Sequence, residues 1–448
     1  MKKSNVNLII LLILVLFTSN LSAQDSALSF TLQEAQEYAL KNGYQTRLAN
    51  LDVEKAKQKV KETTSIGLPQ INGKVDYLNN LDVPLVGIPG AFAGMPEEDI
   101  VATPFGVEQS MTASVTASQL IFDGSYLVGL QAAKVYVELS KNDQEKSEIE
   151  IKNMVTQAYG NVLVAQKNAE ILKGNKENLD KILFETDELY NNGFAEEQDK
   201  DQLDLLLSNT INAYEQSVRQ VLVSKNQLKF ILGLPIENSL ELKDELETMT
   251  SISNSQDFTT KEFDVNNHID FKTVLTQENA SQLLVKQQQS AYLPSLNAFY
   301  TYQQNSFSNK FNFFGGSQWN DGQFFGVNLN VPIFTSFANK NRVQQTKIDL
   351  EKVQIAKTQV EEQLKIQADN AKSEYLFAFN QYETMNKNLA LAERIYDKVK
   401  AKYDEGINSS LELTQANNQL LETQGNFINA SFQLINAKVN LDKALNNY

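Results

Sequence analysis

From Leu364 the chain repeats an apolar or aromatic residue at alternating steps of four and three: Leu364, Ala368, Ala371, Tyr375, Ala378, Tyr382, Met385, Leu389, Ala392, Tyr396, Val399 and Tyr403. That rhythm is a heptad seam, the stripe one helix presents to another. It lies in a run, 337–405, with neither Pro nor Gly before Gly406. At ~1.5 Å per residue such a helix is roughly 100 Å long, too long for one element of a compact domain. Something long must pack beside it.

A second stripe runs through a helix predicted over 125–192: Ile151, Val155, Ala158, Val162, Ala165, Ala169, Leu172, Leu179, Leu183 and Tyr190, broken at Lys176 and Thr186. Asn191-Asn192-Gly193 reads as its stop and turn. A return helix over about 196–232 ends at Gly233-Leu234-Pro235, and a last one over about 409–446 carries Leu413, Ala416, Leu420, Phe427, Ala430, Leu434, Ala437 and Leu441. Near the start, Thr31 with Glu34 suggests a capping box and Gly43 a helix stop. A further helix over 44–66 meets its end at Leu68-Pro69.

Elsewhere the period is two. Ile71, Val75, Tyr77 and Leu81 share one parity against Asn72, Lys74, Asp76 and Asn80; Met111, Ala113, Val115 and Ala117 alternate with Thr112, Ser114, Thr116 and Ser118. These patterns predict strands over about 70–82 and 110–122, each with one apolar and one polar face. Two more are predicted over about 295–304 and 323–334. In them Leu296, Ala298, Tyr300 and Tyr302, and Phe325, Val327, Leu329, Val331 and Ile333, hold the apolar parity, with Phe299 the exception. The Gly/Pro-rich segment 82–107 reads as a long exposed loop. Residues 236–266, polar with a Ser/Asn/Thr-rich middle, read as a surface insertion with short elements rather than part of a core.

The plan is given twice. Leu68-Pro69-Gln70-Ile71-Asn72 matches Leu293-Pro294-Ser295-Leu296-Asn297, Ile121-Phe122 matches Ile333-Phe334, and Tyr190-Asn191-Asn192-Gly193 matches Tyr403-Asp404-Glu405-Gly406. The halves span 24–235 and 267–448, and differ mainly in the loop joining their strands, where length change is tolerated. Each return helix is ~55 Å and the 44–66 helix ~35 Å, so two short helices end to end nearly match one long one. Strands of this length can cross a bilayer at a tilt. Four cannot close a barrel, and an open edge in lipid leaves backbone groups unpaired. Two copies would supply eight strands and three would supply twelve; only the larger ring leaves a pore.

Composition narrows the class. Residues 1–23 read as a secretory signal: Lys2 and Lys3, an apolar core from Leu8 to Phe17, and Ala23 before the cut. No later apolar run is long enough for a membrane-spanning helix. The net charge of −15 disfavours nucleic acid as a partner. There is no cysteine and a single histidine, His268, which argues against a metal site, a cofactor or catalysis.

The strand–long helix–tight turn–return helix plan, given twice, resembles the TolC-like outer-membrane efflux family. Thr31-Leu32-Gln33-Glu34-Ala35, the two Leu-Pro pairs, Ile121-Phe122-Asp123-Gly124 and the two Tyr-x-x-Gly tips are similar to its recurring motifs. The resemblance implies a mainly α fold with a membrane β-barrel: a homotrimer whose twelve strands form one barrel in the outer membrane, continuous with a periplasmic α-helical barrel. It implies an exit duct for efflux or type I secretion, opened by a periplasmic membrane-fusion adaptor and fed by an inner-membrane pump. It also implies a periplasmic gate at Asp199, Glu412, Tyr190 and Tyr403, and adaptor docking at the tip turns Gly193, Phe194, Gly406 and Ile407. Asn408 and Gln415 depart from the family pattern at places where a latch arginine and a second acid occur. Residue by residue, an acid in a first helical turn also complements the helix dipole, and the tyrosines are also seam positions. On the strands, Tyr77, Tyr300, Tyr302 and Phe325 share the apolar parity and suit an aromatic girdle facing outer-membrane lipid. Phe307, Phe311, Phe313, Phe314 and Trp319 fall in the second loop. A periplasmic coiled-coil scaffold is the alternative; it accounts for the heptads but not for the four strands.

Overall fold

The computed structural model describes residues 28–96, 98–250, 263–316 and 318–447. The signal expected over 1–23, and the middle of the 236–266 segment, lie outside them.

Strand β1 (Leu28–Phe30) leads into helix α1 (Leu32–Asn42). Thr31 caps it: its hydroxyl accepts from the Glu34 N–H at 3.3 Å, and Glu34 Oε2 accepts from the Thr31 N–H at 2.9 Å, a reciprocal box that satisfies two orphan donors. Helix α2 (Tyr44–Ser65) begins at once. Gly43 between them has φ −58°, so it is no left-handed stop. Its bare Cα serves close approach instead, since a Cβ there would stand 2.5 Å from the Ala39 carbonyl oxygen and 3.3 Å from that of Ile231.

The chain continues through β2 (Gln70–Asn79), β3 (Leu85–Pro89), β4 (Ile100–Pro104), β5 (Gln109–Asp123), α3 (Gly124–Asn191) and α4 (Glu197–Leu232). Then come β6 (Leu240–Leu242), α5 (Leu246–Thr250), α6 (Ile269–Ser290), β7 (Ser295–Ser308), β8 (Trp319–Asn330), α7 (Ala338–Asp404) and α8 (Ser410–Leu445). No helix among the described residues is long and apolar enough to cross a membrane.

Two units emerge. One holds residues up to 49, 145–268 and 363 onward; the other holds 50–144 and 269–362. In the first, the seams of α3, α4, α7 and α8 bury their apolar positions against one another. Ala35, Ala39, Val155, Tyr159, Val162, Leu228, Leu232, Phe427 and Ile435 belong to one cluster, and Ala371, Tyr375 and Ala378 meet Leu434, Ala437 and Leu441 in another. The 236–250 part of the expected surface insertion is not peripheral: Leu240, Leu246 and Met249 are buried in the first cluster. β6 pairs in parallel with β1, Leu28 opposite Leu240 and Phe30 opposite Leu242. The fully buried Tyr159 clamps this junction. Its hydroxyl lies 2.9 Å from the Phe30 carbonyl and 3.0 Å from the Asp244 carboxylate, which also accepts from the Leu32 N–H at 2.8 Å. Few apolar residues, well placed, outweigh a polar composition because burial acts per side chain.

The second unit carries a four-stranded antiparallel sheet in the order β2-β5-β7-β8. The loop expected over 82–107 is instead largely a hairpin, with β3 and β4 paired from Leu85–Pro104 to Pro89–Ile100 around a short 3-10 turn at Gly90–Ala93. Its prolines hide it from a propensity reading, yet Pro89 and Pro104 stand at strand ends, where a missing N–H does least harm.

Candidate gate and sheet face

Both helix tips of the first unit close the same way. At the end of α3, Gly193 takes φ 81° and donates to the Tyr190 carbonyl, while Phe194 donates to that of Leu189 at 2.8 Å. At the end of α7, Gly406 takes φ 73° and donates to the Tyr403 carbonyl, and Ile407 donates to that of Lys402 at 2.8 Å. These are Schellman turns, in which a left-handed residue lets two N–H groups turn back onto the last helical carbonyls, and glycine takes that conformation without penalty. The turns present apolar side chains to solvent: Phe194 is 81% exposed and Ile407 67%.

The return helices begin with reciprocal caps. Asp199 Oδ2 accepts from the Glu196 N–H at 3.2 Å, and the Glu196 side chain closes the box. Glu412 Oε2 accepts from the Ser409 N–H at 3.0 Å, while Ser409 Oγ accepts from the Glu412 N–H at 3.3 Å. Both acids thus sit at the third helical position, near the positive end of a helix dipole.

The two tips are tied to each other. Ser410 Oγ, at the start of α8, donates to Asp199 Oδ1 on α4. Tyr403 on α7 meets Thr186 on α3, oxygen to oxygen, at 2.7 Å. Deeper in, Asn178 donates to the Tyr396 hydroxyl at 2.9 Å, and Ile182, Leu203, Ala392, Leu413 and Leu420 pack around Tyr396. Burial pushes the Tyr403 hydroxyl above the usual phenol range. Tyr190 keeps different company: Lys200 pairs with Asp187 and places its ammonium 5.7 Å from the centre of the Tyr190 ring. The hydrogen bond from Lys200 to the Asp187 carboxylate holds the lysine above its ordinary pKa. The structure therefore joins Asp199 and Tyr403 each to the opposite tip and leaves Tyr190 with its own return helix. Thr186, Asp187, Lys200 and Ser410 complete the group. Of these only Thr186 left a trace in the sequence, as a polar break in an apolar stripe.

On the sheet of the second unit, register gathers the separate alternations onto one face. Ile71, Ala117, Tyr300 and Phe325 stand in one row across the four strands, and Gly73, Val115, Tyr302 and Gln323 in the next. Val327 lies opposite Ala298, and Leu329 opposite Leu296. Phe325 is 81% exposed. Beyond Tyr302 the same face of β7 and β8 turns polar through Gln304, Ser306 and Asp321. Tyr300 donates to Gln323 Oε1 at 2.7 Å, and Tyr302 accepts from Gln304 at 2.6 Å, so these two tyrosines and Phe325 stand at an apolar–polar boundary. Tyr77 does not join them. Its row holds Met111, Ser306 and Trp319, and its ring meets Phe311 and Phe313 edge-on at 5.6 and 5.9 Å. The segment between β7 and β8 folds back there, burying Phe313 to 2% exposure, with Trp319 Nε1 donating to its carbonyl at 3.3 Å.

No group of three or more His, Cys, Asp or Glu among the described residues is arranged to hold a metal ion. His268 is buried, ending the short turn before α6 with Phe263 edge-on to its ring at 6.3 Å.

A sequence model of a family described as outer membrane efflux protein matches residues 35–234 and 265–447. No curated protein matches the chain. Among solved structures, the Campylobacter jejuni CmeC outer membrane channel superposes with a TM-score of 0.66 at 20% identity, covering 92% of this chain and 85% of that one. The open-state Neisseria gonorrhoeae MtrE outer membrane channel gives 0.70 at 16% identity, with 92% and 88% covered. The Vibrio cholerae outer membrane protein VceC gives 0.67 at 14% identity, with 92% and 95% covered. At such identities the likeness is one of fold.

Proposed function

The chain belongs to the outer membrane efflux protein family, and from that premise we propose that three copies close into one passive exit duct through the outer membrane, gated at the helix tips. The observation that carries this reading is the sheet. Its outer strands, β2 and β8, have no partner on their far sides among the described strands, and they run in opposite directions. A rotation that brings β8 of one copy beside β2 of the next therefore continues the antiparallel order. Three such sheets make a twelve-stranded ring, wide enough to leave a lumen. Closure satisfies edge groups that would each cost several kcal/mol in lipid. It turns the face of Ile71, Val115, Tyr300, Phe325 and Leu329 outward to lipid and the face of Asn72, Thr116 and Gln303 inward. Tyr300, Tyr302 and Phe325 then belong to an aromatic girdle, with Tyr77 further along the strands.

In the helical unit, three copies bring six tips together. Asp199 and Glu412 then line a narrow ring of carboxylates, which attracts cations. Tyr190 and Tyr403 hold the helices that carry them. Opening requires the ties between the tips to part, and a periplasmic adaptor docking on the turns at Gly193, Phe194, Gly406 and Ile407 supplies the differential binding that does so. An inner-membrane pump delivers the cargo, and selection among cargoes rests with that pump.

The test is single-channel conductance of purified protein in a planar bilayer, parent against Asp199→Asn/Glu412→Gln. A small, cation-selective parent conductance that rises or loses selectivity in the variant supports duct and gate together. Unchanged conductance keeps the duct and leaves the acids as helix caps. Folded trimer with no channel activity overturns the duct.

A further inference from the structure

Phe299 breaks the alternation of its strand, and it is not alone. Register sets it in the row Gln70, Ser118, Phe299, Gly326, and sets Phe324 in the adjacent row Asn72, Thr116, Thr301, Phe324. Both phenylalanines are thus on the polar face. The next two rows, Lys74, Ser114, Gln303, Gly322 and Asp76, Thr112, Asn305, Asn320, hold no aromatic residue, and the charges of Lys74 and Asp76 pair at 2.9 Å. The two rings meet edge-on with centroids 6.2 Å apart, a favoured aromatic geometry.

The pair divides into a structural half and an unexplained half. Phe299 lies over Gly326, where a Cβ would come within 2.7 Å of its ring, so it shields backbone that glycine leaves bare. Phe324 has no such duty. It sits on a wall of hydroxyls and amides, with Phe299 edge-on to it on one side, and remains 47% exposed. An exposed ring beside a fixed second ring offers a face and an edge to a further aromatic group. The neighbour of Phe324 on β7, Thr301, adds no charge.

We propose that Phe299 and Phe324 form an aromatic contact site on the inner wall of the duct, repeated in each copy, that transiently holds apolar aromatic solutes in transit. This rests on the duct reading above, which makes the polar face the inner one. Stacking gives such a site breadth rather than sequence-like specificity, because any π-face serves. A weak, threefold-repeated contact slows a solute without trapping it, which conduction requires.

The experiment is blockade of the reconstituted channel by tetraphenylphosphonium, with tetraethylammonium as an equally charged probe without rings. The variants are Phe324→Ser and Phe324→Tyr, both checked as folded trimer in mild detergent with parental conductance. Phe324→Ser is expected to shorten the tetraphenylphosphonium block roughly three- to ten-fold, the range of one aromatic contact. It should leave tetraethylammonium unaffected, and Phe324→Tyr should keep the parental dwell. A dwell unchanged in Phe324→Ser, in a channel that still conducts, overturns the contact site and leaves the duct standing. Folded parent trimer without conductance overturns both.

Discussion

Tyr403 donates its hydroxyl hydrogen to Thr186. The direction follows from the partners: Thr186 Oγ1 also lies 2.8 Å from the Ile182 carbonyl, which can only accept, so the single threonine hydrogen is spent there. Removing the two ends should therefore differ. Tyr403→Phe deletes a donor and leaves Thr186 satisfied, a loss of about 1 kcal/mol. Thr186→Val strands a half-buried phenol and costs more, about 1–3 kcal/mol. Thermal melts of the helical signal should rank them so. In bilayers, both should raise the basal conductance, because each frees α7 from α3 at the tip.

The caps give the acids a structural role that substitution can separate from the gate role proposed for them. Asn at 199 and Gln at 412 keep an oxygen to accept from the Glu196 and Ser409 N–H groups; Ala keeps none. Asp199→Ala and Glu412→Ala should each lose about 1 kcal/mol of helix stability, whereas Asp199→Asn and Glu412→Gln should lose less. Ion selectivity should change in all four, since all four remove the charge. Melts and reversal potentials on the same preparations check both halves.

How far the residues announced this structure depends on the range of the interaction. The stripe from Leu364 to Tyr403 is periodic over many turns and falls within α7, where Tyr375 and Ala378 are buried against α8. The strand alternations needed only period two, and register then placed Ile71, Ala117, Tyr300 and Phe325 on one face. Where the signal was short or masked by composition, reading failed. Three residues of β6 leave no periodicity, and prolines concealed the β3–β4 hairpin. At the tips, the glycines and acids stand out as a repeated motif. Their cross-tip partners do not: Ser410 and Lys200 are ordinary first-turn residues until folding sets them beside Asp199 and Asp187. Phe299 was visible as an exception, but its reason, Gly326 on the neighbouring strand, lies in the pairing.

Glycine at 160 marks a close approach between α3 and α8 in the helical core. A Cβ there would stand 2.8 Å from Ile435 Cγ2, and Ile435 is itself buried. Gly160→Ala gains helix propensity, about 1 kcal/mol, but must displace a packed side chain, typically costing about 1–3 kcal/mol. The net expectation is a lower melting temperature. Gly174, on the same helix, has nothing within 4 Å of the built Cβ. Gly174→Ala should raise the melting temperature, the propensity gain standing alone.

A proline at Ala378 tests the continuity of α7. Ala378 is buried against the α8 seam. Proline there removes a backbone hydrogen bond and clashes with the preceding turn, at ~3 kcal/mol or more. Because the seam is continuous, a kink misplaces every contact beyond it. Trimer yield in mild detergent should collapse, and unchanged yield would count against one unbroken helix.

Asp442 gives the helical unit a pH dependence. Burial raises its carboxyl above the ordinary 3.8, while the Lys438 ammonium at 2.7 Å pulls it down in part. The folded chain therefore holds this proton to higher pH than the unfolded chain does. The stability so contributed is complete below the ordinary value and drains away as pH rises through the raised one. Asp442→Asn fixes the neutral form and has nothing to lose over that range. Relative to the parent, the variant should gain stability as pH climbs above about 4. The check is the difference between the two melting temperatures, read by circular dichroism at each pH. A difference that stays flat would mean the carboxylate is as well solvated folded as unfolded. Lys438→Met should strengthen the dependence, since it removes an ammonium that favours the charged form.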